Sequence, residues 1–414
     1  MKYTHKLLFV LCPMLVLVFI YFSSRKLHLH VWGPKSHVDV EPTVALTVTK
    51  PKPKPKVATE LESEASISAG QVVGAVYDQQ GFLLKLDGKL PMELVYKYGN
   101  LSSGSCKPGY AAAKMTAIYP KFVKPAPMFL DQNFKRLAKV FNYLPPFGFK
   151  TQEKTIDTIL TATKNYGLGP ELDSLSCKRC IIVGNGGILA NKSLGSHIDE
   201  YDIVVRLNEA PVSGYTKDVG TKTTMRITYP EGAIQKPERY EKDSLFIFSA
   251  FKPLDFKWLK HVIFRERLID IPIAPPMIPT LLAHRLAKGT EGFWKSVAHY
   301  VPREPSEMRI LNPYFIQEAA FQFIGLPLNN GLMGKGNIPT LGTVAITMAL
   351  HNCDEVAVAG FGYDMNTPHA PLHYYEKVKM SAIKESWTHN ISKEKEFLQK
   401  LVKARVITDL TKGI

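Results

Sequence analysis

"CIIVGNGGILANKSLG", residues 180–195, is an apolar run that passes into a tight cluster of glycines. A strand followed by a glycine-rich turn lets backbone N–H groups approach a bound anion. The dinucleotide-binding form of this turn needs Gly-x-Gly-x-x-Gly and an acidic residue at the end of the next strand. Here the third glycine is missing, and the next apolar run ends in Arg206 and Asn208. The sequence therefore argues against a nicotinamide cofactor and leaves a different anionic ligand to be identified.

Strand and helix patterns alternate on both sides of this turn. Strand patterns fall at residues 180–184, 202–207, 224–228, 245–249, 309–312 and 355–360, and helical spacing at 156–164 and 188–198. This alternation predicts an α/β fold, in which parallel strands and crossover helices form a mostly parallel, twisted sheet flanked by helices. Ligands of such sheets bind at the carboxyl ends of the strands.

The N-terminal part of the chain lacks the pattern of a folded core. Residues 7–22 form an apolar run with flanking basic residues, which predicts a transmembrane signal anchor. A cleaved signal peptide is the alternative, but no small-x-small cleavage site follows the run. We therefore expect a cytoplasmic tail at 1–6, a stem at 23–105 that includes the extended "KPKPKPK" segment, and a lumenal catalytic domain at 106–414.

Charge and cysteine content narrow the class of partner and the compartment. The net charge is +15, and residues 1–60 hold nine Lys and Arg against three Asp and Glu. The remaining positive charge is spread over the rest of the chain and forms no basic stripe of the kind that nucleic-acid binding requires. We therefore expect no nucleic-acid partner. Asn-x-Ser triplets at Asn100, Asn191 and Asn390 and four cysteines beyond the apolar run are compatible with a secretory lumen.

Several residues at predicted strand and helix ends are candidates for binding an anionic ligand. Asn185 follows the first strand and Asn208 the second, and a carboxamide can meet a base edge, a ribose or a phosphate. Thr340 and Gly342 open an apolar helix whose unpaired N–H groups attract phosphate, and Gly362 follows the next strand. The structural alternatives are turn stabilisation by the asparagines and helix capping by Thr340.

Two histidines beyond the last predicted strand, His373 and His389, are candidates for acid/base chemistry. A solvated histidine near a helix start is the structural alternative, and Glu394 is equally explained by the preference of a first helical turn for acids. The sequence contains no Asp-x-Asp, and its single Cys-x-x-Cys lacks a second pair of ligands. We therefore expect no metal site.

These segments together resemble the animal sialyltransferases, glycosyltransferase family 29. All four family motifs occur in order: a large motif at 180–224, a small motif at 337–362, His-Tyr-Tyr-Glu at 373–376 and His-x4-Glu at 389–394. The similarity spans residues 106–414 and is greatest to the α-2,3 enzymes that act on Galβ1-3/4GlcNAc.

The resemblance implies a single Rossmann-like domain of the glycosyltransferase-A-variant type in a type II Golgi membrane protein. It also implies CMP-sialic acid as donor, no metal or other cofactor, and galactose-terminated glycans of glycoproteins or glycolipids as acceptors. The residues that it assigns to the pocket for the CMP part of the donor are Asn185, Asn208, Thr340, Gly342 and Gly362.

By the same resemblance, His373 faces the donor phosphate, and His389 is the general base that activates the galactose 3-hydroxyl. Attack from the face opposite CMP then inverts the anomeric centre. The family's inter-motif disulfide falls on Cys180 and Cys353, which leaves Cys106 to pair with Cys177.

The chain departs from the family pattern in two places. Residues 185–187 read Asn-Gly-Gly where many relatives have Asn-Ser-Gly, and the proline-rich segment 269–286 has no counterpart. A glycolipid-directed (lactosylceramide) α-2,3 enzyme and a non-catalytic Golgi glycan-binding protein stay open as alternatives, as does a homodimer. Asn390 adjoins the proposed base, which argues against glycosylation there and leaves Asn100 and Asn191 as the candidates.

Overall fold

The computed structural model describes residues 75–77, 83–86, 105–265, 292–328, 337–364, 366–383 and 388–414. The predicted tail and signal anchor, the sequon at Asn100 and the segment 269–286 lie outside the described residues. Within the described ranges, no helix is both long and apolar enough to cross a membrane.

A parallel sheet forms the centre of the catalytic region. The strands of the described residues are β1 (Ala75–Tyr77), β2 (Leu83–Leu86), β3 (Arg179–Val183), β4 (Ile203–Leu207), β5 (Met225–Thr228), β6 (Leu245–Phe248), β7 (Met308–Ile310), β8 (Glu355–Ala359) and β9 (Ile407–Asp409). β1 and β2 pair antiparallel, and the other seven form one parallel sheet in the order β7-β6-β5-β4-β3-β8-β9. This confirms the predicted α/β class.

The strand order reverses at β3. Strands β4 to β7 extend to one side of β3, and β8 and β9 extend to the other. In an open α/β sheet, the crevice at the carboxyl ends of the strands on either side of such a reversal is the place where ligands bind. The topology therefore predicts a ligand site at the loops that follow β3 and β8.

Helices cover the sheet and supply much of the core. In the described part of the chain they include α1 (Tyr110–Ile118), α2 (Ala138–Phe141), α3 (Glu153–Thr163), α4 (Pro170–Asp173), α5 (Gly195–Asp199), α6 (Thr216–Val219), α7 (Pro253–Phe264), α8 (Tyr314–Glu318), which continues as a π-helix (Ala319–Ile324), α9 (Leu341–Asn352) and α10 (Ile391–Lys403). Helix α9 is buried on nearly every side, as expected for a helix that is apolar around its circumference, and it packs against β3, β4 and β5. Its first turn therefore lies near the carboxyl ends of these strands.

The predicted helix at 188–198 is wrong over its middle. Only a 3-10 turn (Gly187–Leu189) and the short α5 form, and Asn191 and Ser193 between them have φ of 62° and 53°. The reason is Asp218, whose carboxylate accepts the backbone N–H groups of Asn191 at 2.9 Å and Ser193 at 2.8 Å. Asn191, one of the two sequon candidates, is exposed in this turn.

Two disulfides join distant parts of the chain. Cys106 is bonded to Cys177, and Cys180 to Cys353, which is the pairing that the family resemblance implies. The second bridge links β3 to the residue that ends α9, just before β8.

Candidate active site

A cavity of about 560 Å³ opens at the carboxyl ends of β3, β4 and β8. It lies at the place where the strand order reverses, as the topology predicts. Its lining includes all seven of the ligand-binding and catalytic candidates from the sequence: Asn185, Asn208, Thr340, Gly342, Gly362, His373 and His389.

The glycine turn after β3 is fastened to the loop that carries His373. Gly187 donates its N–H to the Leu372 carbonyl at 3.0 Å, and Tyr374 donates to the Asn185 carbonyl at 3.1 Å. Among the described residues, Oδ1 of Asn185 is buried without a hydrogen-bond partner. A buried carboxamide oxygen without a partner at a cavity wall is an acceptor that a ligand can satisfy.

Gly186 explains the departure from the Asn-Ser-Gly pattern of many relatives. A Cβ at this position would lie 2.6 Å from the Gly360 carbonyl oxygen, so this backbone has no room for a serine. Gly362 is constrained in a different way, because its φ of 93° is in the left-handed region. A Cβ there would also lie 1.8 Å from the carbonyl oxygen of Gly413.

Asn208 directly follows β4 and is in the left-handed conformation, with φ of 50°. Its N–H donates to the Ile227 carbonyl at 3.0 Å, and its own carbonyl accepts from the Arg226 guanidinium at 2.7 Å. The Thr228 hydroxyl lies 3.5 Å from Oδ1 of Asn208. The carboxamide NH2 group is therefore the part of this side chain that can donate to a ligand.

Glu394 contacts the start of α9 that the sequence identified as a phosphate candidate. Its carboxylate accepts the Thr340 N–H at 2.9 Å and the Thr340 hydroxyl at 2.6 Å, and it also accepts the Thr343 hydroxyl. The residue is buried, and burial raises the pKa of Glu394 despite these three donors. The sequence-based explanation of Glu394 by the helix dipole missed these contacts, because its partners lie 54 and 51 residues away along the chain.

Thr340 has both of the functions that the sequence left open. Its hydroxyl accepts from the Thr343 N–H at 3.4 Å, which is an N-cap hydrogen bond, and the residue also lines the cavity. Two residues on, Gly342 lies under the Phe361 ring, where a Cβ would be only 2.7 Å from Cε1. The start of α9 is thus held by Glu394 on one side and covered by Phe361 on the other.

The two histidines have different hydrogen-bond partners. Nδ1 of His389 lies 2.8 Å from the Ile338 carbonyl, which can only accept, so Nδ1 carries the hydrogen and a neutral ring has its lone pair at Nε2. Nδ1 of His373 contacts the Glu376 carboxylate, and this contact is an ion pair when the ring is protonated. The His373 ring also stacks on Tyr375, with centroids 5.4 Å apart.

The charged residues of the lining include three carboxylates, those of Glu209, Glu231 and Glu394. Lys395 is the single Lys or Arg among the described lining residues, and no motif in the sequence pointed to it. Over the described ranges, no three side chains of His, Cys, Asp or Glu converge as metal ligands.

The chain is similar in sequence to one known family and to several named proteins. The family model described as glycosyltransferase family 29 (sialyltransferase) matches residues 129–273 and 276–406. This match includes all of the segment 269–286 except residues 274 and 275, so the expectation that the segment has no counterpart in the family is wrong. Proteins from mouse and human named CMP-N-acetylneuraminate-beta-1,4-galactoside alpha-2,3-sialyltransferase are each 60% identical over 412 residues, covering 100% of this chain and 99% of theirs. A rat lactosylceramide alpha-2,3-sialyltransferase is 38% identical over 75% of this chain and 76% of its own.

The fold also occurs among solved structures. The crystal structure of a mammalian sialyltransferase superposes with a TM-score of 0.52 at 22% identity, covering 75% of this chain and 98% of that chain. A mammalian sialyltransferase in complex with Gal-beta-1-3GalNAc-ortho-nitrophenol superposes with a TM-score of 0.51. The family model, the relatives and the fold agree, and the chain belongs to glycosyltransferase family 29, the sialyltransferases.

Proposed function

We propose that this chain is a β-galactoside α-2,3-sialyltransferase. It transfers sialic acid from CMP-N-acetylneuraminate to the 3-hydroxyl of terminal galactose on Galβ1-3/4GlcNAc glycans of glycoproteins, without a metal and with inversion. The identity of 60% to full-length relatives of that name supports the substrates. The chemistry rests on one observation: His389 lies in the same cavity as Asn185 and Asn208. The Ile338 carbonyl accepts from Nδ1 of its ring and so sets the tautomer.

In the proposed reaction, Nε2 of His389 takes the proton from the galactose 3-hydroxyl. The oxygen forms a bond to the anomeric carbon of sialic acid as the bond from that carbon to the phosphate oxygen breaks, and CMP leaves with the electron pair. His373 in its protonated form stabilises the charge that develops on the phosphate, together with N–H groups at the start of α9. A monophosphate leaving group held this way needs no divalent cation.

A glycolipid acceptor is the alternative within the family. Its support is the similarity to lactosylceramide enzymes over three quarters of the chain and a galactose terminus shared by both acceptor classes. A non-catalytic glycan-binding protein has less support, because His389 is present with its tautomer set for proton abstraction.

The proposal includes a type II Golgi protein with residues 7–22 as membrane anchor, 23–105 as stem and 106–414 as lumenal catalytic domain. Its support is the apolar run and the two disulfides, which are typical of an oxidising lumen. Three measurements would test this proposal: immunostaining with Golgi markers, protease protection of residues 106–414 in intact vesicles, and a mobility shift on deglycosylation. The shift should be smaller in Asn191→Gln and absent when Asn100 is replaced as well. Analytical ultracentrifugation of the detergent-solubilised protein would test for a homodimer.

One assay tests the activity directly. The detergent-solubilised full chain is supplied with labelled CMP-sialic acid and acceptors ending in Galβ1-3GlcNAc, Galβ1-4GlcNAc, Galβ1-3GalNAc or lactosylceramide, each with EDTA and with MnCl2. We expect α-2,3-linked product on the first two acceptors and equal rates with and without EDTA. A requirement for Mn²⁺, or preference for lactosylceramide, would contradict the metal-free or the glycoprotein part of the proposal.

A further inference from the structure

The cavity carries an excess of negative groups for a site that is to bind an anion. If the proposed function is correct, the donor brings a negatively charged phosphate and a negatively charged sialic acid carboxylate. The carboxylates of Glu209, Glu231 and Glu394 lie in the same lining. Like charges a few ångströms apart repel, and this repulsion is stronger in a partly enclosed cavity than in water.

Two of these carboxylates are already balanced by neighbours. Glu231 pairs with the Lys252 ammonium at 2.6 Å, and Glu394 is surrounded by donors from Thr340 and Thr343. These contacts balance Glu231 and Glu394 with groups of the protein itself. Protonated His373, which also contacts Glu376, is one cation for a donor that carries two negative groups, so a second cation is needed.

Lys395 has the position and the unused capacity to supply that cation. It is half-buried in α10, directly after Glu394, and its Nζ donates to the Tyr363 carbonyl at 2.9 Å in the loop that follows β8. Among the described residues, its ammonium forms no ion pair within 4.0 Å, and the hydrogen bond to Tyr363 uses one of its three donors. Its charge also acts on Asp364, whose pKa is lowered first by the Asn366 N–H and to a smaller extent by Lys395. The hydrogen bond holds the side chain at the cavity wall beside Gly362.

We propose that the Lys395 ammonium binds a negatively charged oxygen of the donor, either of the phosphate or of the sialic acid carboxylate. A charge-assisted hydrogen bond in a partly enclosed site corresponds to about tenfold to a hundredfold in affinity. Both groups have the same chemistry, so the choice between them is made by ligands that carry one or both.

Lys393 provides a matched control. It lies two residues earlier on the same helix, is exposed, donates to the Gly325 carbonyl at 3.3 Å and is not among the lining residues. Lys393→Met removes the same charge from the same helix end without touching the cavity. Lys395→Arg keeps the charge and tests whether a cation is sufficient.

The experiment measures dissociation constants for cytidine, CMP and a non-transferable CMP-sialic acid analogue fluorinated at C3, using the full chain and its variants. If Lys395 binds the phosphate, Lys395→Met weakens CMP and the analogue but not cytidine. If it binds the carboxylate, only the analogue is weakened. In both cases Lys395→Arg restores part of the affinity, and Lys393→Met binds like the wild type.

Three results would overturn the assignment: unchanged affinities in Lys395→Met, equal weakening in Lys393→Met, or a loss of cytidine binding as large as that of CMP, which would indicate a structural defect. Thermal unfolding of each variant shows whether the fold is intact. A wild-type protein that binds no cytidine nucleotide would instead reject the proposed function, and this assignment with it.

Discussion

Arg226 in β5 holds the turn that presents Asn208 to the cavity. Its guanidinium donates to the Asn208 carbonyl at 2.7 Å and to the Ala210 carbonyl at 3.0 Å, on either side of Glu209. The same group forms an ion pair with Glu241, and its side chain is 2% exposed. We predict that Arg226→Met destabilises the protein and weakens donor binding together.

The size of the effect follows from what is left unpaired. Removing one partner of a buried ion pair costs about 3–5 kcal/mol. The Glu241 side chain is 15% exposed, so water reaches part of it and the lower end, about 3 kcal/mol, applies. The two carbonyl groups add about 1 kcal/mol for each lost hydrogen bond. The resulting loss of about 5 kcal/mol is a large part of a typical total stability of about 5–15 kcal/mol and corresponds to a Tm lower by roughly 10 °C.

The pH dependence gives a second measurement. Burial alone would raise the pKa of Glu241, but the charge and hydrogen bonds of Arg226 outweigh it and hold this pKa below its ordinary value of 4.5. A carboxyl group whose pKa is lower in the folded state stabilises the protein at pH values above its pKa in the unfolded state. This stabilisation is lost as the pH falls through its pKa in the folded state. The stability difference between wild type and Arg226→Met should therefore shrink as the pH falls below 4.5.

The assay combines chemical denaturation with steady-state kinetics. Arg226→Lys keeps a charge without the fork that reaches both carbonyls and should be intermediate, and the exposed Arg239→Met is the matched control. The double variant Arg226→Met/Glu241→Gln should recover part of the stability, while the KM for CMP-sialic acid stays raised because Asn208 is still unsupported. A loss below about 1 kcal/mol in Arg226→Met, or no coupling in the double variant, would refute the reasoning.

Three further predictions concern the site and its frame. His389→Ala should lower kcat about 10²–10⁴-fold, whereas exposed His197→Ala should leave it unchanged; near-normal turnover would reject the general base. Burial raises the pKa of Glu394 in the folded protein, so ionising this residue lowers the free energy of unfolding. The stability that protonated Glu394 contributes is fully present below pH 4.5 and is lost as the pH rises through the pKa of the folded state. Denaturation across pH should therefore show Glu394→Gln gaining on the wild type towards neutral pH, and a gap that does not change with pH would contradict this. Replacing Cys180 and Cys353 together by alanine should cost about 2–5 kcal/mol of unfolding free energy, and an unchanged denaturation midpoint would show that packing alone holds α9.

The sequence predicted the sheet well because its strands are buried and short. Each of the six predicted strands overlaps an observed one, from β3 to β8. Strands β1 and β2 fall within the predicted stem, where we expected no folded core. In β9 only Ile407 is buried, so this strand lacks the buried run that marks the others. Asn390, considered above as a sequon, caps α10 by accepting from the Lys393 N–H at 3.1 Å.

The sequence predicted the site residues that belong to local motifs. It did not predict those whose function depends on contacts between distant segments. Asn185, Asn208 and the two histidines follow strand ends or family motifs, and the cavity contains all four. Three contacts join segments that are far apart in sequence or have no motif. They are those of Glu394 with α9, of Arg226 with the Asn208 turn, and of Lys395 with the loop after β8. Periodicity and spacing report neighbours along the chain, so they could not reveal these contacts.

The Cys180–Cys353 bridge bears on how the nucleotide enters and leaves. It ties β3 to the segment before β8 at the edge of the sheet opposite the cavity, and the two strands are also hydrogen-bonded along their length. The two walls of the crevice are therefore clamped together and cannot swing apart like a hinge. We therefore expect exchange of CMP for fresh donor to involve the loops at 361–364 and 371–376, which line the cavity, while the paired strands stay in place. Turnover is thus expected to respond to substitutions in these loops more than to changes in the sheet beneath them.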